Sequence, residues 1–244
     1  MPNYRITSTA MNTVLSIEQV EKSFVLHTQN GTVLKVLDDV DLSVASGEVV
    51  GLCGPSGTGK SSLIKAVYGT YRVGTGRINV FTSQGIIDIA GAPARKIVEL
   101  RAHTIGYVSQ FLRVIPRVAT VDIVAAAAME AGVEEGDARK RAEELLERLR
   151  IPKPLHALSP LTFSGGEQQR VNIARAMSAP RPLMLFDEPT ASLDPENRDT
   201  VLKMIRDLAD QGTAILGIFH NPADREQLDA REFEMQAIRD LENA

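Results

Sequence analysis

The stretch that most constrains this chain is GPSGTGKS, at residues 54–61. It has the form G-x-x-x-x-G-K-[ST] and follows GEVVGLC (47–53), an apolar burst that reads as a buried strand. KSSLIKAVYGT (60–70) then switches to helical spacing. A strand that turns through glycines into a helix N-terminus is a phosphate cradle, because free backbone N–H groups and the helix dipole both face an anion. In this reading Gly54, Pro55, Ser56, Gly57, Thr58 and Gly59 form the loop around the phosphates. Lys60 reaches the β- and γ-phosphates, and Ser61, with Ser62 beside it, offers a hydroxyl to Mg²⁺. Cys53, just before the loop, reads as a small buried apolar residue.

Such a loop needs an acid at another strand end to hold the ion. PLMLFDEP (182–189) supplies two: Asp187 follows four apolar residues and Glu188 comes next. Asp187 suits the metal, through its water shell. Glu188 suits general-base attack by water, so the pair implies hydrolysis as well as binding.

A second glycine cluster lies in TFSGGEQQR (162–170). Ser164 and Glu167 fit S-x-x-E, a capping box that opens a helix through QQRVNIARAM. Gly165 and Gly166 then fall in the first turn, where each is a poor helix former, worth up to about 1 kcal/mol against alanine. Bare backbone where a helix presents free N–H groups suggests a second anion contact.

Elsewhere, 14–26 and 33–45 read as strands around the turn signal QNG (29–31), and 76–82 and 104–110 as further strands. The chain turns helical from about 120 to 178; within 134–151, Ala138, Ala142, Leu145, Leu146 and Leu149 share one face. A helix over 195–212 and a strand over 213–220 follow. The expected fold is α/β: a mostly parallel core, an N-terminal antiparallel β subdomain and an inserted helical subdomain at about 112–178. Residues 1–13 read as a flexible extension and 14–244 as one domain. The 244 residues carry a formal net charge of −4, which gives no ground for nucleic-acid binding. One cysteine excludes an internal disulfide and fits a cytoplasmic protein. No apolar run reaches the roughly 18–20 residues of a membrane span, so no direct insertion is expected.

Taken in order, GPSGTGKS, Gln110, FSGGEQQR, LMLFDEP, ASLD (191–194) and His220 resemble the ABC-type ATPases over nearly the whole chain, about 14 to 225. The resemblance implies ATP and Mg²⁺ as ligands. It implies that Gln110 contacts Mg²⁺ and the attacking water, that His220 holds the γ-phosphate and that Phe24 stacks on adenine. It further implies a head-to-tail dimer around two nucleotides, either a homodimer or a heterodimer with another ABC ATPase. Ser164, Gly165 and Gly166 would then meet the nucleotide of the other protomer, and Asp194 would lie at the same interface. One departure stands out: Glu167 occupies the place where the family commonly has glutamine, and puts a negative charge beside an anion site.

The early part, VLKVLDDVDLSVASGEVVGLCGPSGTGKSSLIKAVYG, resembles the lipoprotein-release and macrolide-export ATPases. Three stretches resemble instead the L subunit of the bacterial phosphonate C–P lyase system: QFLRVIPRVATVDIVAAA, LTFSGGEQQRVNIARAM and GIFHNPADREQLDARE. That resemblance implies soluble C–P lyase subunits as partners, in a step that joins an alkylphosphonate to the ribose of ATP. The alternative is the ATPase subunit of a transporter. Arg113, Ile115 and Arg117 are the candidate docking residues after Gln110.

Overall fold

The computed structural model describes residues 12–26, 31–110 and 116–236. In chain order the elements are β1 (Thr13–Leu26), β2 (Thr32–Ala45), β3 (Val49–Cys53), α1 (Lys60–Val67), β4 (Thr75–Thr82), β5 (Gly85–Asp88), α2 (Ala94–His103) and β6 (Ile105–Val108). Helices α3 (Thr120–Glu130), α4 (Glu135–Arg148), α5 (Lys153–His156) and α6 (Gly165–Ser178) follow. The chain continues through β7 (Leu183–Asp187), α7 (Pro195–Asp210), β8 (Ala214–Ile218), α8 (Pro222–Gln227) and β9 (Arg231–Glu234).

β1, β2, β4 and β5 form an antiparallel sheet in the order β2-β1-β4-β5. Its apolar residues alternate, so one face is buried: Leu15 and Ile17 on β1, and Val40, Leu42 and Val44 on β2, point into the core. The second sheet is wholly parallel, in the order β6-β7-β8-β3-β9. Every residue of β3, β7 and β8 is buried, because strands covered on both faces have no solvent side and need none that is polar.

The alternation of β7 assigns its residues to two cores. Leu183 and Leu185 join α1 and the antiparallel sheet, while Met184 and Phe186 join the helical block. In that block Ala138, Ala142, Leu146 and Leu149 pack with Val121, Val124, Val171 and Ala174, which is the face that the spacing of α4 marks out. The fold is thus the expected α/β arrangement of antiparallel sheet, parallel sheet and helical parts. β5, α2, α8 and β9 are additions to the elements read from the sequence. β1 also starts one residue earlier than expected, and Asn12 already accepts a hydrogen bond from Ser46 N (2.7 Å).

This topology positions the site. The phosphate loop follows β3, Gln110 lies just past β6, Asp187 ends β7, and His220 lies just past β8. All four strands are parallel, so their C-terminal ends open on one edge, where α/β sheets bind ligands.

Candidate nucleotide site

The phosphate loop depends on close approach and on left-handed backbone. Gly54 and Gly59 have φ of +118° and +87°, and an added Cβ would lie 2.4 Å from Met235 O and 2.3 Å from Val36 O, respectively. At Gly57 (φ +84°) nothing lies within 4 Å, so this side of the loop is open to a ligand. Lys60 is buried, and its Nζ donates to Gly54 O (2.8 Å) and Pro55 O (2.7 Å). An ammonium has three donors, so these bonds hold the loop closed and leave one for a phosphate oxygen.

Ser61, in the first turn of α1, donates through Oγ to Asp187 Oδ1 (3.0 Å). Tyr107 donates through its hydroxyl to Asp187 Oδ2 (3.1 Å). Burial, and then the charge of Asp187, push the Tyr107 phenol far above its usual range, so it stays a donor at physiological pH. Asp187 and Ser61 are therefore held together, as an ion beside the phosphates would need. Among the described residues no cluster of three His, Cys, Asp or Glu side chains forms a metal cage. A hydroxyl and a carboxylate that would leave room for phosphate oxygens and water suit Mg²⁺.

Glu188 is the first residue past β7 and has φ +55°. Left-handed backbone in a residue with a Cβ costs on the order of 1–3 kcal/mol, and such strain gathers at functional sites. Here it aims the carboxylate back along the strand ends. His220 Nε2 lies 2.7 Å from Glu188 Oε1, and Gln110 Nε2 donates to Glu188 Oε2 (3.2 Å). The structure thus brings Gln110, Glu188 and His220 into contact, next to the Ser61–Asp187 pair.

Ser164 caps α6 in the predicted capping box. Its N–H and its hydroxyl both donate to Glu167 Oε2 (2.8 and 2.7 Å), and Glu167 N donates back to Ser164 Oγ (3.3 Å). The hydrogen bonds from Ser164 hold the Glu167 carboxyl below its usual range, so it is ionised at neutral pH. The two glycines serve different ends. A Cβ on Gly165 would meet nothing within 4 Å, whereas one on Gly166 would lie 2.9 Å from Ser192 O. Gly165 keeps an open face bare, and Gly166 lets α6 pack on the segment leading to Asp194. Asp194 caps α7, accepting from Asn197 N (3.0 Å), and that bond lowers its pKa.

α6 also reaches the reactive edge. Asn172 and Gln169 donate to Ser109 O (2.8 and 3.4 Å), so Gln110 is anchored to the same helix that carries Ser-Gly-Gly. Phe24 is half-buried on β1, outside the core. Tyr71 meets it edge-on at 5.2 Å and Lys22 Nζ lies 4.7 Å from its ring centroid. Cys53 is the buried residue expected, and burial pushes its thiol pKa up. Arg117 is exposed; Arg113 and Ile115 lie outside the described residues. The sequence reading did not single out Tyr107, Asn172 or Gln169. Their partners are far away in the chain, and no short motif marks them.

A phosphate loop, an Asp-Glu pair at the end of β7 and a capped Ser-Gly-Gly helix define an ABC-type ATPase. The chain belongs to the ABC transporter family, whose profile matches residues 37–191. It is 41% identical over 209 residues to the lipoprotein-releasing system ATP-binding protein LolD of Maricaulis maris, covering 85% of this chain and 88% of that one. It is 35% identical to the glutamine transport ATP-binding protein GlnQ of Escherichia coli, over 81% of this chain and 80% of the other. It is 32% identical to part of the macrolide export ATP-binding/permease protein MacB of Photorhabdus laumondii, over 87% of this chain and 32% of that longer protein. Among solved structures, the ATP-binding cassette MJ0796, a dimer bound to ADP and Pi, superposes with a TM-score of 0.81. That match covers 91% of this chain and 94% of the other at 24% identity, and it establishes the fold.

The chain is thus an ABC ATPase that binds ATP with Mg²⁺. The relatives are named for lipoprotein release, glutamine transport and macrolide export. They lend no support to the phosphonate reading drawn from the three stretches. No helix among the described residues is long and apolar enough to cross a membrane.

Proposed function

We propose that this chain is the ATP-hydrolysing motor subunit of a larger assembly, closing as a dimer around two nucleotides. The observation that carries the reading is Glu188, strained at φ +55° and flanked on its carboxylate by His220 and Gln110. The loop from Gly54 to Gly59 and the N-terminus of α1 cradle the phosphates, and Lys60 adds its third donor. Ser61 and Asp187 would hold Mg²⁺, with Gln110 also contacting it. When bound, the ion neutralises charge that builds on the transferred phosphoryl group. Glu188 takes the proton of the attacking water, Gln110 orients that water and His220 contacts the γ-phosphate. Phe24 supplies a ring face for adenine. Ser164 and the N–H groups of Gly165 and Gly166 serve the nucleotide held by the other protomer, with Asp194 beside them. Glu188→Gln keeps the shape and removes the base, so ATP should trap a dimer that size-exclusion chromatography resolves. A variant that stays monomeric with ATP would sink the sandwich.

The relatives favour membrane partners, in a transporter of the lipoprotein-release or macrolide-export kind, with this chain at the cytoplasmic face. Partner docking falls to a groove that runs from Gln110 past Tyr107 and Tyr68 and is lined by Arg101, Arg175 and Arg181, with Arg117 nearby in sequence. A second reading is favoured by the three stretches around Gln110, Ser164 and His220. It makes the partners soluble subunits of a phosphonate C–P lyase system, which join an alkylphosphonate to the ribose of ATP. Mild affinity purification from the native host grown without phosphate separates the two. A multi-span permease in the membrane fraction establishes the transporter; soluble phosphonate-processing subunits without a permease establish the other.

A further inference from the structure

The stretch after His220 holds two adjacent residues that grip opposite sides of the site. Asp224, on α8, is almost fully buried (1% exposed). It accepts from Thr190 Oγ1 (2.9 Å) on one oxygen and from Arg198 Nε on the other. Thr190 lies two residues past Glu188. Arg225, the next residue, turns the other way and donates through Nη1 to Phe219 O (2.7 Å) and to His220 O (3.3 Å). Its Nε is paired with Glu232 on β9 (2.6 Å). Gly51 on β3 makes room for this side chain: a Cβ there would lie 3.1 Å from Arg225 Cδ. α8 itself is anchored by Asn221, whose side chain accepts from Ala223 N (2.9 Å).

We propose that Asp224 and Arg225 are positioning residues, and that α8 is a brace setting the Glu188 carboxylate against the His220 imidazole. Asp224 fixes the segment that leaves β7 with Glu188, and Arg225 fixes the backbone that leaves β8 with His220. Neither touches the phosphates; both act through the pair in contact at 2.7 Å. The strained φ of Glu188 makes the brace necessary, since a left-handed residue persists only where its surroundings over-determine it. The inference rests on the proposal that Glu188 and His220 act on ATP.

Thr190→Val is the sharpest test. It keeps the shape of the side chain, leaves Arg198 paired with Asp224, and removes only the hydroxyl. Steady-state ATPase kinetics of the full chain should show kcat lower by about tenfold or more, with the KM for ATP within about twofold, because a displaced base slows chemistry without weakening binding. Thr190→Ser should restore kcat, and thermal melting should show all three proteins folded. Arg225→Lys, which loses the fork but keeps the charge, should repeat the pattern. The decisive comparison is with His220→Ala. If Arg225 acts through His220, adding Arg225→Lys to His220→Ala should slow it little further, whereas additive losses would overturn the brace. If His220→Ala itself leaves kcat unchanged, the role given to His220 fails, and the brace with it. Unchanged kcat in a folded Thr190→Val, with His220→Ala impaired, overturns the brace alone.

Discussion

Glu167→Gln should make ATP-driven closure tighter while making the fold slightly weaker. Glu167 Oε2 lies 2.7 Å from Ser164 Oγ and takes the hydroxyl proton that a partner's phosphate would need. A hydroxyl has one proton, so it serves the carboxylate or the phosphate at any moment. A phosphate oxygen within hydrogen-bond reach of Ser164 would sit about 5 Å from that carboxylate oxygen, from two bonds of about 2.7 Å meeting at an angle. Two like charges at about 5 Å repel by roughly 0.8 kcal/mol in water and roughly 3 kcal/mol at an effective dielectric constant near 20. Removing the charge should therefore strengthen closure by about 1–3 kcal/mol per site, roughly 5- to 160-fold for each, and the factors of the two sites multiply in the ATP-dependent dimer affinity. The cost falls on α6: glutamine still accepts from Ser164, but loses the charge assistance and its match to the helix dipole, about 0.5–1 kcal/mol. Sedimentation velocity across an ATP titration, in the Glu188→Gln background, measures the effect. A folded double variant that dimerises no better than Glu188→Gln alone refutes the argument. The sign with pH follows from the lowered carboxyl pKa. The stabilisation that Glu167 gives the cap is complete above about 4.5 and is lost only as pH falls through the depressed folded value. The gain from Glu167→Gln should thus stay flat between pH 6 and 8.

Other outcomes follow from the same geometry. Lys60→Ala should abolish ATP binding in a fluorescent-nucleotide titration and also loosen the loop, since Nζ holds both Gly54 O and Pro55 O. Gly166→Ala should cost about 1–3 kcal/mol in denaturant unfolding, as its Cβ would press on Ser192 O, whereas Gly165→Ala should leave stability within about 0.5 kcal/mol or raise it. If the open face of Gly165 serves a partner's nucleotide, Gly165→Ala should still reduce ATPase activity. Tyr107→Phe, which deprives Asp187 of one donor, should raise the Mg²⁺ concentration needed for half-maximal ATPase several-fold without changing the fold.

What could be read from the sequence was what is local in it. The phosphate loop announces itself because the turn, the lysine and the serine must be consecutive. β3, β7 and β8 announce themselves because strands buried on both faces are unbroken apolar runs. The capping box at Ser164 and Glu167 needs only four residues, and it was found. β5 and β9, at four residues each, and α8, at six, are too short for a period to show, and their stability comes from what they pack against. α2 begins after Pro93 with no side-chain cap and buries only Leu100, so no apolar stripe marks it.

The glycines of the Ser-Gly-Gly motif show how far a motif's meaning depends on the fold. In the sequence both glycines point to one end, an anion approaching bare backbone. In the structure only Gly165 faces open space, and Gly166 is required by Ser192 of the same chain. That contact joins α6 to the segment of Thr190 and Asp194, and Asn172 joins α6 to Ser109, the residue before Gln110. In the proposed dimer, the helix offered to a second nucleotide is thereby packed against two segments that would handle the first. A pull on α6 from a closing partner would reach both Gln110 and the Glu188 segment through direct contacts. The coupling needs no long relay, only a helix whose first turn lacks side chains at Gly165 and Gly166 and whose third carries Asn172.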